Sequence, residues 1–318
     1  MFIERIKIPL FLKKRRKLWL YRITLKGQIC IAGKNIRQLL AKKQREDTMS
    51  SSISDRPIGI FDSGVGGISV LKDMVQLLPN EKFIYYADSL NAPYGTKDNE
   101  TIARLSRNVA RFLVDKGIKT LVVACNTATA VAINQLRAEL DIPVIGMEPA
   151  VKPAVELGKE GKVLVMATPV TLKQEKFNKL LHRYDEHSRV IPLPCPGLVE
   201  LVEKGITQGK EIKEYLSKLL ANIQRDQIAV VVLGCTHYVF VRDTIKQFFP
   251  SQIPVIDGNC GTAKRLLKVL EDAGLRAPEK KGEKEIGMQV RKMAVKFYTS
   301  GDPHHVIPLC QCLLNLNL

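Results

Sequence analysis

From residue 57 onward, short apolar runs alternate with segments of helical periodicity. No other feature constrains the fold as strongly. Residues 57–61, 83–87, 120–124, 143–146, 162–167, 190–193, 228–233 and 253–256 read as strands, the last of these being the final clear one. A strand that is apolar along its whole length is buried on both faces, as in a parallel sheet covered by helices. The intervening segments supply the helices. Ile68, Val70, Leu71, Met74 and Leu78 lie along one helix. Ile102, Leu105, Val109, Phe112 and Leu113 form a stripe over 99–116, with Gly117 at the C′ position. Further helices are expected from Asn126, from about Leu172, near 197–204 and 210–223, and over 260–273. The alternation predicts an α/β fold with open, mostly parallel sheets.

Two segments resemble one another. Residues 121–127 (Leu-Val-Val-Ala-Cys-Asn-Thr) and 231–237 (Val-Val-Leu-Gly-Cys-Thr-His) both read apolar strand, small residue, cysteine, polar pair, helix. They suggest two similar lobes, each placing a cysteine at the carboxyl end of a strand, where open α/β sheets bind ligands. A helix N-terminus at Cys125 can lower a thiol pKa, and Asn126 and Thr127 offer polar groups to a carboxylate. The plainer alternative is a buried cysteine beside a helix cap. At Cys235, the imidazole of His237 could exchange protons with the thiol or with a substrate amine, or the pair could be half of a metal site.

The formal charge of +17 raises the question of nucleic acid. Residues 1–48 hold 14 Lys and Arg against 3 Asp and Glu, which leaves only +6 for the rest. The excess therefore belongs mainly to a leader, 1–55, with a basic run at 13–17 and the only tryptophan, Trp19. This leader is expected to be poorly ordered, with Met49 as the natural start. Neither a clean apolar targeting core nor a membrane span is present. The seven cysteines (Cys30, Cys125, Cys195, Cys235, Cys260, Cys310 and Cys312) are odd in number and widely spaced, which argues for a reducing cytoplasm.

The turn 62–67 (Asp-Ser-Gly-Val-Gly-Gly) follows the first strand and opens a helix. It lacks the Gly-Lys-Ser/Thr ending of a P-loop and is not a full dinucleotide fingerprint. Its glycines are read as serving positive φ. Asp62 would then face the cleft as a carboxylate, and Ser63 would donate to a substrate.

Taken together, 62–67, Pro93-Tyr94-Gly95, 124–128 (Ala-Cys-Asn-Thr-Ala) and 234–237 (Gly-Cys-Thr-His) resemble the motif set of the glutamate racemases, of the aspartate/glutamate racemase superfamily. Residues 148–154 and 297–302 match as well, so the resemblance covers roughly 56–302 in the family's order. It implies cofactor-independent interconversion of L- and D-glutamate, with no metal. Cys125 would take the Cα proton from D-glutamate and Cys235 from L-glutamate, assisted by Asp62 and His237 respectively. Ser63, Pro93, Tyr94, Gly95, Asn126, Thr127 and Thr236 would bind substrate, with Thr171 and Glu148 as weaker carry-overs. A cytoplasmic enzyme supplying D-glutamate for peptidoglycan is implied, and many members of the family form homodimers.

The expected organisation is a leader (1–55), a first lobe (56–147 plus 257–303), a second lobe (148–256) and a divergent, frayed tail (304–318). The nearest alternative is an aspartate or related racemase. A second is a nucleic-acid-binding or regulatory protein using the basic arm. A third is a metal-binding module built from Cys235, His237 and the tail's His304, His305, Cys310 and Cys312.

Overall fold

The apolar runs become strands β1 (Ile58–Asp62), β2 (Phe83–Ala87), β3 (Thr120–Val123), β4 (Val144–Gly146), β5 (Lys162–Ala167), β6 (Val190–Pro194), β7 (Ile228–Leu233), β8 (Val255–Asp257) and β9 (Val295–Thr299). The computed structural model describes residues 53–184, 189–278 and 295–315. The leader as far as residue 52, with its basic run, Trp19, Cys30 and Met49, lies outside the described residues. Strands β1, β3 and β7 are buried at every position, as parallel strands covered on both faces must be.

The strands form two sheets, ordered β4-β3-β1-β2-β9 and β6-β5-β7-β8. Every neighbouring pair is parallel. Leaving β9 aside, both sheets run second, first, third, fourth strand in chain order. Each therefore reverses direction between its first and third strands, which makes a topological switch point. In the first sheet β3 leads directly to Cys125, and in the second β7 leads to Cys235. The similarity between 121–127 and 231–237 thus reflects equivalent places in two equally wound sheets.

The chain crosses between the sheets after β4 and after β8. At Gly258 a Cβ would sit 2.6 Å from the Glu148 carbonyl oxygen, so the two crossings touch backbone to backbone. The Met147 N–H donates to Thr129 Oγ1 at 3.1 Å and anchors the first crossing. One apolar core runs from Ile60, Leu71 and Val122 to Leu164, Leu233 and Tyr238, and Ser52–Leu318 cluster as one compact unit. No helix among the described residues is long and apolar enough to cross a membrane.

The structure departs from the sequence reading in four places. Strand β9 was not expected: it is an edge strand with Lys296 exposed and most of its residues half-buried, so it lacks the continuous apolar signature. The segment after β5 starts its helix earlier, at Pro169–Lys173, because Thr168 caps it and proline suits the first turn. A separate helix follows at Glu175–Tyr184. The Ile53–Asp55 turn, assigned to the leader, is tied to the first lobe by Lys119 Nζ donating to the Ser54 carbonyl at 2.6 Å.

The fourth departure is the tail, which is a helix, Pro303–Asn315, rather than a frayed end. Asp302 Oδ1 accepts the His304 N–H at 2.9 Å, and Val306, Cys310, Leu313 and Leu314 are buried at helical spacing. Cys310 is buried while Cys312 is exposed. Side chains two apart on a helix do not face one another, so this pair cannot chelate as a unit.

Just ahead of β2 and β3 lies a fully buried ion pair. Lys119 Nζ meets Glu81 Oε2 at 2.5 Å, and Glu81 Oε1 accepts the Ala277 N–H at 2.8 Å. Removing one member strands a buried charge. Lys119→Ala is therefore expected to cost ~3–5 kcal/mol in urea unfolding, while the paired change Lys119→Met/Glu81→Leu recovers most of that loss. A single variant as stable as the parent would contradict this.

Candidate active site

Each thiol is placed by a strand end. Cys125 follows β3 and caps the Asn126–Glu139 helix, its sulfur accepting the Ala128 N–H at 3.3 Å. It also lies 3.7 Å from Ser63 Oγ. Cys235 follows β7 and precedes a 3-10 helix, Thr236–Val241, with its sulfur 3.7 Å from His237 Nδ1. Only 5% of Cys125 and 7% of Cys235 is exposed, so the site is closed to solvent.

A chain of polar contacts joins the two. Ser63 Oγ donates to Asp62 Oδ1 at 3.5 Å, and the Gly64 N–H donates to the same oxygen at 3.1 Å. Thr236 Oγ1 donates to Asp62 Oδ2 at 3.1 Å. Asp62, the last residue of β1, thus holds its own turn with one oxygen and the residue after Cys235 with the other.

The glycines of this turn do not serve positive φ, contrary to the sequence reading; the positive-φ glycines lie elsewhere. They make room for the other lobe. A Cβ on Gly66 would lie 2.5 Å from Thr236 Oγ1 and 2.5 Å from His237 Cε1. One on Gly64 would lie 2.5 Å from Glu203 Cδ.

Glu203 was missed by the sequence reading. It sits at the end of the Leu198–Glu203 helix, where nothing local marks it. Its Oε1 accepts the His237 Nε2–H at 2.6 Å and the Val65 N–H at 2.7 Å. Cys235, His237 and Glu203 therefore form a relay that ends on the first lobe's turn.

The two thiols have different electrostatic surroundings. The Cys125 thiol is pushed up to about 12, first by burial and then by the Asp62 carboxylate, with a further contribution from Cys235. The Ala128 N–H pulls the other way but does not prevail, which overturns the expectation of a thiol lowered by its helix N-terminus. For His237, burial is the largest influence and opposes protonation. The Cys235 and Glu203 contacts together outweigh it, so the imidazole stays protonated well above its ordinary range. Asp62 is raised by burial, with His237, Gly64 and Thr236 acting against that rise.

Around the thiols lie further polar groups. Thr127, Thr168 and Thr171 form a ring of buried hydroxyls at 3.0, 3.2 and 2.9 Å, the first from one lobe and the other two from the second. Thr168 was also missed, because a helix-capping threonine gives no further signal. Asn126 is 4% exposed, yet neither Nδ2 nor Oδ1 has a partner. Tyr94 Oη donates to Asp88 Oδ2 at 2.6 Å, and burial together with Asp88 raises its phenol. Pro93 starts the short turn that carries Tyr94 and Gly95, and a Cβ on Gly95 would lie 2.8 Å from Thr168 Cβ. Glu148 does not join the cluster: it is half-exposed and pairs with Lys176 at 2.8 Å. No group of three or more His, Cys, Asp or Glu that could hold a metal ion occurs among the described residues.

Fold and site together define a two-lobed α/β protein that brings one thiol from each lobe into a single buried polar cluster. More particularly, the chain belongs to the Asp/Glu/Hydantoin racemase family, whose model matches residues 58–266. It is 48% identical over 265 residues to a glutamate racemase of Clostridium botulinum, covering 83% of this chain and 99% of that one. A glutamate racemase isoform of Bacillus anthracis superposes with a TM-score of 0.70 at 28% identity, covering 83% and 95% of the two chains. The glutamate racemase of Francisella tularensis, solved in complex with D-glutamate, gives 0.68 at 29% identity over 83% and 96%.

Two outcomes follow from this geometry. Gly66→Ala is expected to fold, yet to lose activity on the order of 100-fold by displacing His237 and Thr236, as kcat and circular dichroism would report. Because the thiolate is the nucleophile, alkylation of Cys125 in the ligand-free protein should be slow at neutral pH and rise with pH towards about 12. Peptide-level mass spectrometry should find the exposed Cys260 and Cys312 modified first. Cys125 labelling as fast as Cys260 at pH 7.5 would contradict the environment described.

Proposed function

We propose that this protein is a glutamate racemase that inverts Cα by passing protons between two thiols on opposite faces of the substrate. The observation that carries this reading is the convergence of Cys125 and Cys235, one from each lobe, on one closed cluster with separate auxiliaries. The similarity to glutamate racemases over most of the chain supports glutamate as the substrate.

Inversion without a cofactor needs a base on one face and an acid on the other. In the L-to-D direction, Cys235 as thiolate takes the Cα proton, and Cys125 as thiol returns a proton to the opposite face. The electron pair of the broken C–H bond rests on the α-carboxylate system between these steps. The reverse direction exchanges the roles. The ligand-free electrostatics suit this division, since Cys125 is held as a thiol while the His237 imidazolium gives a Cys235 sulfur a counter-charge 3.7 Å away. Glu203 keeps that imidazolium in place. Asp62, through Ser63, is the corresponding auxiliary on the Cys125 side.

Substrate binding falls to the remaining polar groups. The unpartnered Asn126 amide has both a donor and an acceptor to give, which suits an α-amino acid. The Thr127, Thr168 and Thr171 hydroxyls can turn their protons towards a carboxylate. Ser63, the turn carrying Pro93, Tyr94 and Gly95, and Thr236 complete the enclosure. A buried site of this kind strengthens every interaction with developing charge. Entry requires the lobes to part, and the touching crossings at Glu148 and Gly258 are the natural pivot. The proposed setting is the bacterial cytoplasm, where D-glutamate would serve peptidoglycan synthesis and hence cell wall biogenesis and cell shape.

Purified protein incubated with L-glutamate and a chelator should lose optical activity, and aspartate should be a poor substrate. Cys125→Ser and Cys235→Ser should each reduce the rate by roughly 10²–10⁴-fold. Faster turnover of aspartate would correct the substrate. Full activity in either cysteine variant would overturn the mechanism.

A further inference from the structure

We propose that Ser69 is a positioning residue for the Cys235 thiol, acting across the lobe boundary through the Thr236 carbonyl; the proposal rests on the racemase reading above. Ser69 is the second residue of the Ile68–Leu77 helix and is 1% exposed. Its hydroxyl lies 3.0 Å from the Gly66 carbonyl oxygen and 3.1 Å from the Thr236 carbonyl oxygen. The first contact is local. A serine in a helix commonly bonds a carbonyl three or four residues back, and that alone would satisfy the hydroxyl. The second contact joins residues 167 apart in sequence and links the first lobe to the second.

Thr236 follows Cys235 directly and is therefore held from the first lobe at two points. Asp62 accepts from its side chain and Ser69 donates to its carbonyl, each at 3.1 Å. One contact alone leaves a residue free to rotate about it, whereas two fix the orientation of the Thr236–His237 peptide. The segment needs this help, because it enters a 3-10 helix, whose hydrogen bonds are poorer than those of an α-helix. Ser69 donates to neither sulfur, so its part is to aim the thiol and not to move protons.

The test uses glutamate deuterated at Cα. The two enantiomers are equal in free energy, so any variant has equal kcat/KM in the two directions. A rate loss alone therefore cannot tell which thiol has moved, but isotope effects can. Ser69→Ala should lower kcat/KM roughly tenfold, the scale of one lost hydrogen bond. The primary isotope effect should rise with L-[2-²H]glutamate, where Cys235 abstracts, and fall with D-[2-²H]glutamate, where Cys125 abstracts. Ser69→Thr keeps the hydroxyl and should return both values towards the parent. Isotope effects that stay parental, or that move together, would overturn the proposal, including in a variant whose Tm drops. Failure of the parent to racemise glutamate would instead sink the racemase reading and the proposal with it.

Discussion

The Asp62 carboxylate is the point at which the two lobes are held to one another, and the rest of the site depends on it. One oxygen organises the glycine-rich turn through the Gly64 N–H, and the other receives Thr236 from the opposite lobe. A buried carboxylate is costly unless its oxygens are bonded, so once this geometry forms it is strongly preferred over its neighbours. Through Ser63 the same group reaches Cys125, and through Thr236 it fixes the residue beside Cys235. The spacing of the thiols is thus set by a few bonds between the lobes.

That closeness requires the turn to lack a Cβ at Gly64, Gly66 and Gly67. Three of its last four positions are glycine because Glu203, Thr236, His237 and the Tyr85 hydroxyl occupy the space a Cβ would need. The same packing brings the Glu203 carboxylate against the Val65 N–H, so the relay behind Cys235 is completed by the opposite lobe's backbone. Electrostatic asymmetry follows from it. A carboxylate lies on the Cys125 side and an imidazolium–carboxylate pair on the Cys235 side, so the two sulfurs lie in unlike surroundings.

Much of this was legible in the sequence because parallel strands buried on both faces leave an uninterrupted apolar run. Such runs marked β1, β3 and β7 most clearly and showed two cysteines at equivalent strand ends. What depended on packing between distant segments was not legible. Strand β9 is half-exposed and carries a lysine, so it resembles a loop. Glu203 and Thr168 look like an ordinary helix-end acid and an ordinary cap, and their partners, His237, Val65 and Thr127, are distant in sequence. The glycines were visible but were given the wrong cause, since close approach and positive φ select the same residue. The tail was misjudged for a different reason. Its apolar residues Val306, Cys310, Leu313 and Leu314 have helical spacing, but Pro308 inside the helix is a residue that ordinarily ends one.

The central claim is that one thiol removes the proton and the other supplies a different one from the opposite face. The most direct measurement is the early time course of L-glutamate conversion in D₂O, with deuterium at Cα determined separately in each enantiomer. Two-thiol exchange predicts that D-glutamate carries deuterium from the first turnovers while the remaining L-glutamate stays protiated. Protiated D-glutamate formed at the start would mean that a single group carries the original proton across, and the two-thiol mechanism would be wrong.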